Sequence, residues 1–188
     1  VYGTDIDKLD LSDKNEVLKF FNKIKPDVVV HTAAMTNVDL CEIERDNAYK
    51  INVEVTKNVA DACKKIKSKI VYISTDFVFD GKKGNYKEED ETNPINYYSL
   101  TKLEGEKVII NSNLDYLITR VAMLYGYNSE NDKNTFVKWA INNLKEGKEI
   151  NVINDQFGCP TLIDDIANAL ITLIEKNNGG IYHVVGPE

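Results

Sequence analysis

DVVVHTAA, residues 27–34, follows a proline and decides the architecture. Consecutive apolar β-branched residues with no polar alternation mark a strand covered on both faces, the kind found in parallel sheets. Upstream, KNEVLKFFNKI (14–24) sets Val17, Leu18, Phe21 and Ile24 at helical spacing. Downstream, AYKINVEVTKNVADACKKI (48–66) is again helical, and KIVYISTDFVF (69–79) is the next strand. The alternation continues. A polar loop (80–94) leads into a helix from about Tyr97 to Ile110, and DYLITRVAMLYG (115–126) is a strand. NTFVKWAINNLKEG (134–147) is a helix ending at Gly147, and EINVI (149–153) is a short strand. IDDIANALITLIEKN (163–177) is a helix closed by Gly179 and Gly180, and GIYHVVG (180–186) is a last strand. Strands separated by helices of this length build right-handed βαβ units, so the expectation is an α/β doubly wound parallel sheet.

In such sheets ligands bind beyond the carboxyl ends of the strands. Those ends here carry HTAAMTNVD (31–39), STD (74–76) and the segment around Met123, three candidate loops on one rim.

Composition removes several function classes. A net charge of −7 with dispersed lysines and arginines offers no basic stripe to a nucleic acid. The longest apolar runs are strand-sized, so no membrane span is expected. The first residues, VYGTDIDKLDLSD, lack the basic and apolar regions of a secretory leader. Cys41, Cys63 and Cys159 are odd in number and scattered, which points to reduced thiols and a cytoplasmic setting. His31 and His183 both sit in apolar runs, so no zinc site is expected.

NPINYYSLTKLEGEKVII (93–110) carries the chemistry. A helix advances about 100° per residue, so Tyr98 and Lys102 are only about 40° out of line, whereas Tyr97 and Lys102 diverge by about 140°. Tyr98 is therefore the tyrosine that can act with the lysine. A free phenol titrates near 10, and lowering that by about three units takes roughly 4 kcal/mol of phenolate stabilisation, which a lysine ammonium away from water can supply. Upstream, STDFVFDG (74–81) ends a strand with the hydroxyls of Ser74 and Thr75. A strand-end hydroxyl and a phenol can together hold and protonate one carbonyl oxygen. The same hydroxyl residue also caps turns in many proteins, and YxxxK alone is common; the joint spacing is what is specific.

With these residues in view, the chain resembles the dTDP-4-dehydrorhamnose reductase family of extended short-chain dehydrogenases/reductases. The resemblance runs through LDLSD (9–13), PDVVVHTAAMTNVDLCE (26–42), INVEVTKNVADAC (51–63), YISTDFVFDG (72–81), EEDETNPINYYSLTKLEGE (88–106), TRVAMLYG (119–126) and INDQFGCPTLIDDIANAL (153–170). It implies a Rossmann-like NAD(P)-binding domain across 1–188, with substrate-binding segments within about 127–188. By the same resemblance Tyr98 is the proton donor, Lys102 tunes it and binds the nicotinamide ribose, and Thr75 holds the 4-keto oxygen with Asp76 beside it. Asp10 and Leu11 flank the adenine, while Ala33, Ala34 and Met35 run over the ribose and pyrophosphate. Asn52 supports the site, though an exposed helix asparagine is as good a reading of the residue alone. Gln156, Gly158, Pro160 and Thr161 lie near the sugar nucleotide. Met123 stands where many bacterial members place a tryptophan against the sugar. The implied cofactor is NADPH, with NADH left open, the partner is a dTDP-sugar, and a homodimer is one assembly the resemblance allows. VYGTD matches the family's second strand, and no GxxGxxG or GxGxxG occurs in these residues. The first βα unit and the end of the substrate-binding region are thus expected outside them. A regulatory subunit of the methionine adenosyltransferase type resembles the same family, as do nucleotide-sugar epimerases and dehydratases.

Overall fold

The computed structural model describes residues 1–126 and 135–186. The expected sugar-binding stretch therefore falls partly outside the described residues, at 127–134, 187 and 188. Contacts divide the chain into two units: residues 1–120 with 179–183, and residues 121–178 with 184–188.

The first unit is built on four strands, β1 (Val28–His31), β2 (Lys69–Thr75), β3 (Tyr116–Val121) and β6 (Gly180–His183), in the order β1-β2-β3-β6. β1 and β2 run parallel with Val28 opposite Lys69, and β3 and β6 run parallel with Leu117 opposite Gly180. This is the doubly wound α/β sheet expected. α1 (Lys14–Ile24) leads into β1, and helices make the crossovers that follow: α2 (Val38–Ile43), α3 (Arg45–Tyr49) and α4 (Val55–Ile66) between β1 and β2, and α5 (Tyr97–Ile110) between β2 and β3.

Local chemistry sets the ends. Asp13 caps α1 by accepting from the amides of Asn15 and Glu16. Asn96 caps α5 in a reciprocal pair with Ser99, which fixes where the tyrosine helix starts. Lys25 and Lys67 close α1 and α4 in the left-handed conformation. Between α3 and α4 the backbone widens into a π-helical turn over Lys50–Glu54. The main core gathers Val17 and Phe21 of α1, Val59, Ala60 and Cys63 of α4, Ile70 and Tyr72 of β2, Ile109 of α5 and Ile118 of β3. Burying apolar side chains from both faces of one sheet is the main driving force for this layering, at roughly 25 cal/mol per Å².

Three details depart from the sequence reading. No strand forms over VYGTD or over EINVI (149–153). The second of these stretches leaves Val152 and Ile153 exposed, and a strand without a neighbour has no ladder to join. The strand expected over 69–79 stops at Thr75 and turns into a short 3₁₀ segment, Asp76–Val78.

The second unit holds β4 (Leu124–Tyr125) paired in parallel with β5 (Thr161–Leu162), together with α6 (Phe136–Lys145) and α7 (Ile163–Glu175). β4 is separated from β3 because Met123 takes a left-handed backbone, φ 40°, uncommon for a residue with a side chain.

Candidate active site

β2 and α5 bring the predicted groups together. Thr75 ends the strand and Tyr98 begins the helix, and the Thr75 hydroxyl lies near enough to the Tyr98 phenol to favour its ionised form. Tyr98 also meets Phe77 edge to face, with ring centroids 6.3 Å apart. Tyr97 turns elsewhere: its amide donates to Glu42 (2.6 Å) and the Arg45 guanidinium lies over its ring. The helical-phase argument that separated the two tyrosines thus matches their placement.

Thr75 caps the turn that follows its strand. Its hydroxyl oxygen accepts from the Phe77 amide (3.2 Å), capping the turn after the strand, and its hydroxyl donates to the Asp76 carboxylate (3.1 Å). Burial raises the Asp76 carboxyl above its ordinary range, against the lowering effect of the Thr75 hydrogen bond.

Lys102 is 3% exposed. Its ammonium donates to the Ile73 carbonyl (2.7 Å) and sits 4.1 Å from the centroid of the Tyr72 ring. Loss of hydration pulls its pKa down to about 7, while the charge of Glu106 works in the opposite direction. The Tyr98 phenol, by contrast, is pushed up to about 12 by burial, with Thr75 lowering it and Asp76 raising it further. The phenol is therefore raised, not lowered as the sequence reading has it through Lys102.

Asn52 was placed in the site by resemblance alone, and the structure gives it partners. It is 1% exposed and sits in the π-helical turn. Its side chain accepts from the Met35 amide (2.8 Å) and donates to the Met35 carbonyl (3.1 Å) and to Thr101 (2.9 Å). Thr101 in turn donates to the Tyr98 carbonyl (2.8 Å). One amide thus ties the loop after β1 to the tyrosine helix. Of that loop, Ala33 is exposed and Ala34 and Met35 are half-buried, leaving small side chains at the strand end.

Asp10 and Leu11 lie at the start of the first unit. Asp10 is exposed and accepts from the Ser12 amide (2.8 Å), which holds its carboxyl below the ordinary range. Leu11 packs on the core, and its carbonyl accepts from Asn58 of α4 (3.1 Å). Met123 belongs to the second unit, where its thioether lies against Gly158; a Cβ there would meet the Met123 sulfur. Thr161 is buried and accepts from the Gly186 amide (2.9 Å), while Gln156 and Pro160 are exposed.

The sequence reading missed a buried ion pair. Arg120 of β3 grips Glu106 of α5 through Nε (3.0 Å) and Nη2 (2.8 Å), and Ser74 of β2 donates to the same carboxylate (2.5 Å). The signal was available for half of it, because Glu106 follows Lys102 by four residues and shares its helix face.

Among the described residues no cluster of histidine, cysteine, aspartate and glutamate could hold a metal. Among the same residues no helix is long and apolar enough to cross a membrane.

The family model described as "RmlD substrate binding domain" matches residues 1–188. The chain is 36% identical to a dTDP-4-dehydrorhamnose reductase of Aggregatibacter actinomycetemcomitans, over 99% of this chain and 64% of that protein. It is 34% identical to the methionine adenosyltransferase 2 subunit beta of Bos taurus, over 97% of this chain and 56% of that one. Among solved structures, a dTDP-4-dehydrorhamnose reductase of Bacillus anthracis in complex with NADP superposes with a TM-score of 0.93 at 38% identity, covering 100% of this chain and 66% of its own. The chain thus spans slightly under two thirds of the length of these reductases.

Proposed function

The chain belongs to the family of the RmlD substrate binding domain, and from that premise we propose that the full-length protein reduces the 4-keto group of dTDP-4-dehydro-L-rhamnose, giving dTDP-L-rhamnose. The observation that carries this reading is the placement of Thr75 at the end of β2 beside Tyr98 at the start of α5, with Lys102 on the same helix face as the tyrosine. NADPH, when bound, supplies the hydride for C4. The residues present fit such a cofactor: small side chains at Ala33 and Ala34 leave room beyond β1, and the phenol and ammonium stand on the adjoining helix. The named complex of the Bacillus anthracis relative with NADP supports the same choice.

In this reading Thr75 orients the ketone oxygen and Tyr98 hands its proton to it. A phenol held up at about 12 is fully protonated at neutral pH, the form a donor requires. Once the proton has left, Lys102 is the cation on the same face that stabilises the phenolate. Asp76 neighbours the sugar. Asp10, Leu11 and the 33–35 loop line the nucleotide.

The decisive assay follows NADPH absorbance in the presence of the 4-keto sugar nucleotide. Tyr98→Phe is expected to lower kcat by at least about 10²-fold, the usual weight of general acid catalysis. Unchanged turnover in that variant removes Tyr98 from the mechanism. NADH in the same assay decides cofactor preference. A folded wild-type protein that never oxidises NADPH, yet binds a methionine adenosyltransferase catalytic subunit, would instead follow the Bos taurus relative.

A further inference from the structure

The clamp behind the site has a role that the ion pair itself does not explain. Glu106 and Arg120 have side chains 1% and 4% exposed. Burying two charges costs about as much hydration as the pairing returns, and apolar replacements of such pairs are often neutral or stabilising. Stability is therefore a poor reason for this pair, and its contacts suggest another. Glu106 accepts from Ser74, and Ser74 stands between Ile73, whose carbonyl takes the Lys102 ammonium, and Thr75, which meets Tyr98. Arg120 also donates to the Glu88 carbonyl (3.3 Å) and lies over the Phe79 ring, so the guanidinium is fixed from three sides.

We infer that Glu106 is the positioning residue of this site: anchored by Arg120, it locks the Ile73–Thr75 strand end against the helix bearing Tyr98 and Lys102, and it sets a negative charge one turn behind the lysine. The inference rests on the reductase reading for its kinetic consequence, but its electrostatic part stands without it. The groups facing Lys102 are the Ile73 carbonyl and the Tyr72 ring from β2, His31 from β1, and Glu106 from its own helix. His31 is buried and neutral above about pH 3, and burial keeps the Tyr72 phenol protonated, so the acidic partner in this set is Glu106.

Two variants test it. Glu106→Gln keeps the shape and removes the charge. With lysine labelled at Cε, the NMR titration of Lys102 in the full-length protein is expected to move down by about one pH unit. A folded Glu106→Gln protein with an unmoved Lys102 midpoint overturns the inference, because a purely structural role would lower the melting temperature and leave that midpoint alone. Should the unpaired Arg120 prevent folding, Ser74→Ala leaves the ion pair intact and removes only the link to β2. Its kcat is expected to fall about fivefold to tenfold, the weight of one buried hydrogen bond, with KM for NADPH unchanged. A kcat within about twofold of wild type overturns the inference. A wild-type protein inactive on the 4-keto sugar nucleotide would refute the proposed activity instead, and the Lys102 titration would still report on Glu106.

Discussion

Asn52 joins the loop after β1 to the tyrosine helix through three side-chain hydrogen bonds. Replacing it with alanine leaves the Met35 amide without its partner and takes one hydrogen bond each from the Met35 carbonyl and the Thr101 hydroxyl. Each buried polar group left unpaired costs about 1–3 kcal/mol, and water entering the gap recovers part of that. Asn52→Ala is therefore expected to lower unfolding free energy by about 2–3 kcal/mol in urea titration, and to raise KM for the cofactor more than it lowers kcat. At this scale the sequence placed Tyr98 and Lys102 on one helix face and Thr75 near a strand end, because helical phase and strand ends are local properties. It did not disclose how Asn52 is bonded, since its partners lie 17 and 49 residues away. Nor could it tell that burial would drive Lys102 and Tyr98 in opposite directions, because hydration is decided by the whole fold.

Among elements, the helix α5 depends on Gly105. A Cβ at that position would collide with the Tyr72 hydroxyl, lie 2.8 Å from Tyr72 Cζ and 3.1 Å from the Asn52 carbonyl oxygen. Tyr72 is 1% exposed and cannot swing aside without moving its neighbours. Gly105→Ala is expected to cost about 1–3 kcal/mol, as overpacking of a filled core does, despite the better helix propensity of alanine. A thermal melt checks it. The same variant should disturb Lys102, whose ammonium rests over the Tyr72 ring. Elements with strong local signals were the readable ones: the unbroken apolar run of β1 and the stripe of α1. EINVI carried the right residue types for a strand and found no partner, while β4 and β5 are two-residue pairings too brief for any pattern. The early end of β2 was hidden too, because Thr75 reads as a strand residue until its hydroxyl captures the Phe77 amide.

For the molecule as a whole, His31 sets the response to acid. It is 4% exposed, its Nε2 lies 3.1 Å from the Thr56 hydroxyl, and burial lowers its pKa to about 3. The unfolded chain takes up the proton near pH 6.5, while the folded chain refuses it down to about 3. Unfolding is thus accompanied by proton uptake across that window, and stability falls as pH drops through it, by up to about 1.4 kcal/mol per pH unit from this group. Urea midpoints between pH 7 and 5 are expected to decline in the wild type and to flatten in His31→Gln. Carboxylates held low, such as Asp10 and Glu88, add their losses only in stronger acid, below their ordinary ranges.

The widened turn at Lys50–Glu54 has a consequence for how this helix tolerates change. A π-turn is geometrically an α-helix carrying one surplus residue. Deleting a single residue between 50 and 54 would let the backbone relax to ordinary pitch without shortening either flank, so circular dichroism would register scarcely any loss. The flanks would keep their phase, because the wide turn sweeps about the same angle with one residue more, and only the side chains within it, Asn52 among them, would be re-aimed. The Met35 loop would lose its tether while the scaffold stayed intact: a frameshift in space, silent to spectroscopy and visible only to a ligand.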